Sequence, residues 1–164
     1  MQWLAQREQS RVELHRKLLP HARAEDAAAA EAGLPATDMA AAPRVEAVLD
    51  WLEAHQYLSQ GRFAESRVHA RASRFGNLRI RQELKQHQVA ISPEAAQALR
   101  DSELQRARTV RERKFAVWPA SAAERAKQAR FLAGRGFSPE VIGRVLRVSA
   151  RSADDADTVG NGLD

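Results

Sequence analysis

Arginines crowd two stretches of this chain. Arg67, Arg71, Arg74, Arg79, Arg81 and Lys85 fall in one, and Arg106, Arg108, Arg111, Arg113 and Lys114 in the other. Arg71 and Arg74 stand i, i+3, and Arg81 and Lys85 stand i, i+4, spacings that bring side chains together on one helix face. Long cations along such a face can follow a phosphate backbone or an acidic protein surface. The competing reading is a solvated face whose arginines pair with Glu65 or Glu83 in the same helices. These residues are the candidate anion-contacting set.

Other chemistry has little support. The chain has no cysteine, which excludes disulfides, thiolate metal sites and a cysteine nucleophile. The histidines (His15, His21, His55, His69 and His87) form no H-E-x-x-H pattern, so no metal site is expected. The phrase "GRG" at 134–136 lacks the Lys-Ser/Thr of a phosphate loop and the preceding strand of a dinucleotide site; it reads as a turn. No G-x-S-x-G occurs, and no pair of carboxylates stands apart from the arginines. The expectation is a non-enzyme with no cofactor.

Composition bounds the scaffold that must carry the cations. Hydrophobic residues make up 44% of the chain but aromatics only 5%, so thin helical layers are more plausible than one deep core. Leu, Ala, Arg, Glu and Gln dominate and period-two β-branched runs are absent, which predicts an all-α fold. Net charge is +5, and the last residues oppose it: Arg151 stands against Asp154, Asp155, Asp157 and Asp164. A basic body favours an anionic partner such as nucleic acid or a nucleoprotein, although an arginine-rich codon usage would look similar. No stretch approaches the ~20 apolar residues of a membrane span, and "MQWLAQREQ" lacks a signal-peptide pattern. A soluble, cytoplasmic, monomeric protein is expected.

Caps and stripes divide the chain. Ser10 with Glu13 makes a capping box, and Pro20 predicts a stop close by. The alanine-rich segment 21–43 reads as a connection. A helix follows Pro43, with Val45, Val48, Leu49, Leu52 and Tyr57 on its stripe and Trp51 at the edge. Ser59 caps the next helix, and Gly76 is expected to end it as a C′ glycine. Asn77 is expected to cap a helix carrying Leu78, Ile80 and Leu84, and Ser92-Pro93 opens another. Boxes at Ser102/Gln105 and Ser121/Glu124 and the start at Ser138-Pro139 complete the helices. Residues 148–164 read as a disordered acidic tail. Core packing is the expected role of Phe63, Phe75, Phe115, Phe131 and Phe137, with Trp118 partly exposed.

One pattern recurs. "SRVELHRKL", "GNLRIRQEL" and "SPEVIGRVL" align Ser10 with Gly76 and Ser138, Leu14 with Ile80 and Ile142, and Leu18 with Leu84 and Leu146. Basic phrases ("QRE", "SRF", "GRGF") precede each start. Such a unit is too small to be stable alone, and stacked copies would share a core. The expected architecture is an elongated array of about three tandem three-helix repeats. Repeat one spans 1–58 with the connection 21–43 inside it, repeat two 59–101, and repeat three 102–147.

These residues also resemble a known family. "REQSRVELHRKL", "WLEAHQYLSQGRFAESRVHARASRFGNLRIRQELKQHQVAIS" and "RFLAGRGFSPEVIGRVL" are similar to the three repeats of RecX, the bacterial regulator of the RecA recombinase. The resemblance implies tandem three-helix repeats and a regulator, mainly negative, of RecA in recombination, DNA repair and the SOS response. It implies binding to the RecA–single-strand DNA filament, weak nonspecific contact with nucleic acid, and no catalysis. Two departures stand out. Ser59-Gln60 replaces a usual acidic pair, and only "MQWLAQRE" stands for the first helix, so repeat one is expected to be shortened. The alternative is a helix-turn-helix transcription factor, which the tight turn in "GRGFSPEVIGRVLRVS" invites.

Overall fold

Three helix starts share one geometry, and they are the three that the sequence aligns. Ser10, Gly76 and Ser138 each accept the first helical hydrogen bond, from the N–H groups of Leu14, Ile80 and Ile142 at 3.0, 3.2 and 2.9 Å. Leu14, Ile80 and Ile142 are buried, and so are Leu84 and Leu146 one turn further on; Leu18, the third member, is partly buried. The repeat is thus one of turns and packing as well as letters.

The structure, a computed structural model, describes residues 2–35 and 38–147. The expected tail, 148–164, lies outside the described residues. Within them the regular elements are α-helices: α1 (Gln2–Gln6), α2 (Arg11–Glu31), α3 (Ala41–Ala54), α4 (Gln60–Ala72), α5 (Asn77–Gln86), α6 (Pro93–Lys114), α7 (Ala122–Gly134) and α8 (139–147). The all-α expectation holds, with helices in tandem. No helix among the described residues is long and apolar enough to cross a membrane.

Contacts gather the chain into two units. The first takes residues up to Ser66 together with Leu84–Ile91. Its core joins Leu14 and Ala22 of α2 to Ala41, Val45, Leu49 and Leu52 of α3, with Leu58. The second takes Arg67–Glu83 and the chain from Ser92 onward. Its core joins Ala107 and Val110 of α6, Leu132 of α7, and Phe137 with the buried face of α8.

Several starts are as the sequence predicts. Both capping boxes, Ser10/Glu13 and Ser121/Glu124, are formed with bonds in both directions. Ser92 accepts from the Ala95 N–H, with Pro93 in the first turn. Ser59 accepts from the Arg62 N–H.

Other expectations fail for identifiable reasons. The helix begun at Ser10 does not stop near Pro20; α2 runs through it to Glu31. Proline there removes one helical donor, but the alanines beyond it are the best helix formers. Ala22 is also buried against α3, and its small side chain permits a close approach. The true stop is Gly33, at φ +66°. Its N–H donates to Ala30 O and that of Leu34 to Ala29 O, a Schellman ending. Ser102 starts no helix: it lies inside α6 and its hydroxyl donates to Ala98 O at 2.7 Å. Val48, Tyr57 and Leu78, expected on buried stripes, are about half exposed.

Candidate functional site

Phe75 follows α4 and stands ringed by guanidinium groups. The Cζ atoms of Arg79, Arg135, Arg74 and Arg71 lie 4.6, 5.6, 5.8 and 5.9 Å from the centroid of its ring. A benzene face attracts cations, by roughly 0.5–1 kcal/mol each at exposed sites. That attraction organises the group without neutralising it. One carboxylate takes part. Glu83 accepts three hydrogen bonds from Arg71, at 3.0, 3.1 and 3.2 Å, and lies 3.4 Å from Arg67. Arg74 and Arg135 have no ion pair among the described residues, and the guanidinium of Arg79 reaches only the carbonyl of Gly134, at 3.5 Å. Like charges a few ångströms apart repel by roughly 0.5–1 kcal/mol per pair even in water-like surroundings. Such a group carries a local surplus of positive charge.

Two glycines bring these arginines together. The N–H of Gly76 donates to Arg135 O at 2.9 Å, and that of Leu78 to Gly136 O at 3.0 Å. The turn after α7 thus satisfies orphan donors at the start of α5. A Cβ on Gly76 would stand 2.2 Å from Gly136 O, so only glycine fits. Gly136 sits at φ +81°, and a Cβ there would meet the Cβ of Arg79 at 2.5 Å. It is also the true C′ glycine of α7: its N–H donates to Ala133 O and that of Phe137 to Leu132 O. The expected turn at 134–136 is therefore present. Gly76 is not the C′ glycine expected of it but a point of backbone contact.

Asn77 departs from expectation too. It caps nothing with its side chain. Its backbone N–H and its amide donate to the two oxygens of buried Glu103, at 2.9 and 3.0 Å, and the amide also donates to Leu99 O. Its Oδ1 accepts from Arg106 at 2.5 Å. Arg106 further donates to Ala72 O, Phe75 O, Leu99 O and the Ser102 hydroxyl. Burial pushes its pKa below the ordinary arginine range, while Glu103 acts the other way. Arg106, expected to face an anion, instead closes the end of α4 onto α6.

Arg111 is also turned inward and is 2% exposed. It donates to Gln128 Oε1 at 2.9 Å and to Val117 O, and its Cζ lies 3.6 Å from the centre of the Trp118 ring. Burial lowers its pKa, with Glu112 opposing. The remaining predicted cations face solvent in varying degree. Arg81 and Lys85 are exposed on α5, Arg113 and Lys114 are exposed in the last turn of α6, and Arg108 is partly covered. Cations in a last helical turn also complement the helix dipole.

One constellation resembles nucleophile chemistry and is not suited to it. Ser10 Oγ lies 3.1 Å from His87 Nδ1, with Glu13 3.9 Å from the same nitrogen. Ser10 is fully buried, and its oxygen already accepts from the Glu13 N–H as the cap of α2. The His87 ring packs edge-on to Phe63.

The sequence reading missed Arg135 and favoured core packing for Phe75. The available signal was the pair of basic phrases "SRFG" and "GRGF", each ending at a glycine-bearing turn. In the structure those turns touch.

Comparison with known proteins identifies the family. Residues 59–99 match the model of the second three-helix domain of RecX, and residues 101–146 that of the third. A Regulatory protein RecX from Ralstonia nicotianae is 46% identical over 158 residues, which span 94% of this chain and 88% of that protein. The Regulatory protein RecX of Leptothrix cholodnii is 45% identical over 160 residues, covering 96% and 91% of the two chains. That of Ralstonia pickettii is 42% identical over 157 residues, covering 94% and 88%.

Proposed function

The chain belongs to the RecX family, and we propose that it restrains the RecA recombinase by binding the RecA–single-strand DNA filament. Binding limits filament growth, and with it ATP hydrolysis and strand exchange in DNA repair and the SOS response. The observation that carries this reading is the surplus of cations around Phe75, where Glu83 is the sole carboxylate among the described residues. An anionic partner relieves that repulsion, and release of its counterions adds a salt-dependent gain. Exposed Arg81 and Lys85 on α5, and Arg113 and Lys114 on α6, extend the contact set, while Arg106 and Arg111 support the scaffold. The protein acts as a monomer in the cytoplasm, as repeats one to three of a tandem array, and performs no chemistry of its own.

Reading the chain as a site-specific helix-turn-helix repressor fits less well. The apolar pair that follows Ser138, Ile142 with Leu146, recurs after Ser10 as Leu14 with Leu18 and after Gly76 as Ile80 with Leu84, which suits an array. On α8, Val141, Ile142, Val145 and Leu146 are buried, leaving Glu140, Arg144 and Arg147 outward. The test is RecA's ATP hydrolysis on single-stranded DNA, with this protein titrated from far below equimolar. Hydrolysis should fall at substoichiometric amounts. Unchanged hydrolysis at excess protein and low salt would sink the reading.

A further inference from the structure

After α6 the chain makes a short connection, "FAVWPAS", held from beneath at one point. The carbonyl of Val117 accepts hydrogen bonds from Arg111, and from Gln128 at 3.2 Å. Both donors are buried. The connection is therefore pinned at its middle rather than draped over the surface. Two apolar side chains are held outward there, at a cost in exposed area that packing does not require: Val117 is 75% exposed and Trp118 39%.

Trp118 is built as a platform. The Arg111 guanidinium stacks against one face of the indole, with Cζ 3.6 Å from its centre. With that guanidinium on one face, the side chain as a whole is still 39% exposed. At the start of the same connection Phe115 meets Phe131 edge to face, with centroids 5.3 Å apart. Beside it opens a cleft of about 290 Å³, lined by Lys114, Phe115, Val117, Trp118, Lys127 and Gln128, with Ala116 and Glu124. The cleft is on the scale of one nucleotide rather than a folded segment. Its charge is favourable to an anion. Lys114 and Lys127 have no ion pair among the described residues, and Arg113 is exposed nearby in sequence. The one acid, Glu124, is turned to the start of α7, where it accepts from the N–H groups of Ala120 and Ser121 at 2.8 and 3.3 Å.

We propose that this cleft seats one nucleotide of a single strand, its base stacked on the free face of Trp118 and its phosphates held by Lys114 and Lys127. A fixed ring beside mobile cations is the arrangement that binds single strands without reading sequence. The buried Arg111 sets the tilt of the indole before any strand arrives, so little ordering remains to be done on binding. This seat rests on the single-strand contact in the reading above, and it is separate in the chain from the arginines around Phe75.

The test uses the full chain with RecA absent. Affinity for an oligo(dT) is compared with that for a base-free deoxyribose phosphate oligomer of the same length and charge. The oligo(dT) should bind about tenfold more tightly, in line with stacking of one base on an aromatic side chain. Trp118→Ala should abolish that preference, with helicity checked by circular dichroism. In the unaltered protein, a photoreactive 5-iodo-deoxyuridine oligomer should crosslink within residues 115–121, which needs no variant to fold. Replacing Lys114 and Lys127 together by Ala should flatten the dependence of log affinity on log salt by about 1.4, two phosphates at roughly 0.7 each. Equal binding of the two oligomers, or crosslinks confined to other segments, overturns the seat. If Trp118→Ala loses RecA inhibition while no base preference exists, the cleft takes a protein instead and the proposal fails. Base-dependent binding without any RecA inhibition would leave the seat standing and remove the RecA reading.

Discussion

Arg11 and Phe75 stand at the centres of two charge clusters of opposite stoichiometry. In the first unit one guanidinium serves three carboxylates of α3: Arg11 bonds to Glu46, to Asp50 at 2.7 Å and to Glu53 at 2.9 Å. Those acids stand i, i+4 and i+7, on one face of the helix. Their company raises the pKa of Arg11 above the usual arginine range, the bond to Glu46 contributing most. In the second unit four guanidiniums surround one ring, and the single carboxylate among the described residues there, Glu83, pairs with only one of the four, Arg71. The difference separates two uses of arginine. Where acids outnumber it, arginine joins helices. Where arginines outnumber the acid, the fold holds like charges together around one ring.

The comparison breaks most completely at Gly76. The arginine cluster exists because two backbones touch there, whereas the Arg11 cluster needs no glycine. Gly76→Ala places a Cβ 2.2 Å from Gly136 O, a backbone atom that cannot swing aside. Strain of this kind costs ~3 kcal/mol or more. Urea denaturation should show that loss, and single-strand binding should fall with it. Wild-type stability in Gly76→Ala would mean that the contact is not what assembles the cluster.

Replacing Arg74, Arg79 and Arg135 together by Ala tests function more than stability, since the attraction to the Phe75 ring that is lost is offset by the repulsion that is removed. Their side chains carry no ion pair among the described residues, and their removal relieves repulsion. The melting temperature should hold or rise. Inhibition of RecA should weaken by more than tenfold, and the salt dependence of single-strand binding should flatten by about 2, three phosphates at roughly 0.7 each. Full inhibition by this folded variant would place the contact elsewhere.

How far the sequence could carry these clusters follows from the range of the interactions that build them. Caps are local, and Ser10, Ser92 and Ser121 were legible as caps because the partner lies three residues on. The repeat was legible because its anchors are apolar and evenly placed. The stop at Gly33 was missed, because Pro20 offered a local signal that tertiary burial of Ala22 overrode. Arg106 and Arg111 could not be told from surface arginines. Their inward turn depends on Asn77, far back in the chain, and on Gln128, far ahead. Arg135 was hidden for the same reason: its place beside Phe75 depends on a contact between turns some sixty residues apart (Gly76 N–H to Arg135 O). Residue type made arginine conspicuous, but only long-range contacts decide which arginines are structural.

Arg11→Ala tests the other cluster. It strips three carboxylates of their common partner, and the Arg11 side chain is 28% exposed, so screening is incomplete. A loss of ~1–2 kcal/mol is expected by urea denaturation, reduced at high salt because the freed acids then repel less. Single-strand affinity should change little. A variant as stable as wild type would show that the Arg11 cluster adds nothing net to the joining of α2 and α3, which also meet through their apolar faces and the Arg44–Asp26 pair.

The finest test sets one acid against another. Glu83 is alone among arginines, and its side chain is only 21% exposed. Glu83→Gln should therefore cost ~1 kcal/mol and strengthen single-strand binding at low salt, since it adds one more unmatched positive charge to a surplus. Asp50 is one of three acids on Arg11, and its side chain is 70% exposed. Asp50→Asn should shift stability by no more than ~0.5 kcal/mol, because Glu46 and Glu53 keep the guanidinium engaged and the repulsion among the acids falls. Each substitution removes one negative charge and changes side-chain volume little, so composition alone predicts equal effects. Unequal effects follow if local surroundings, the ratio of charges together with the lower exposure of Glu83, decide what a carboxylate is worth. Matching losses from the two substitutions, measured in the same buffer, would mean that neither stoichiometry nor burial distinguishes the clusters.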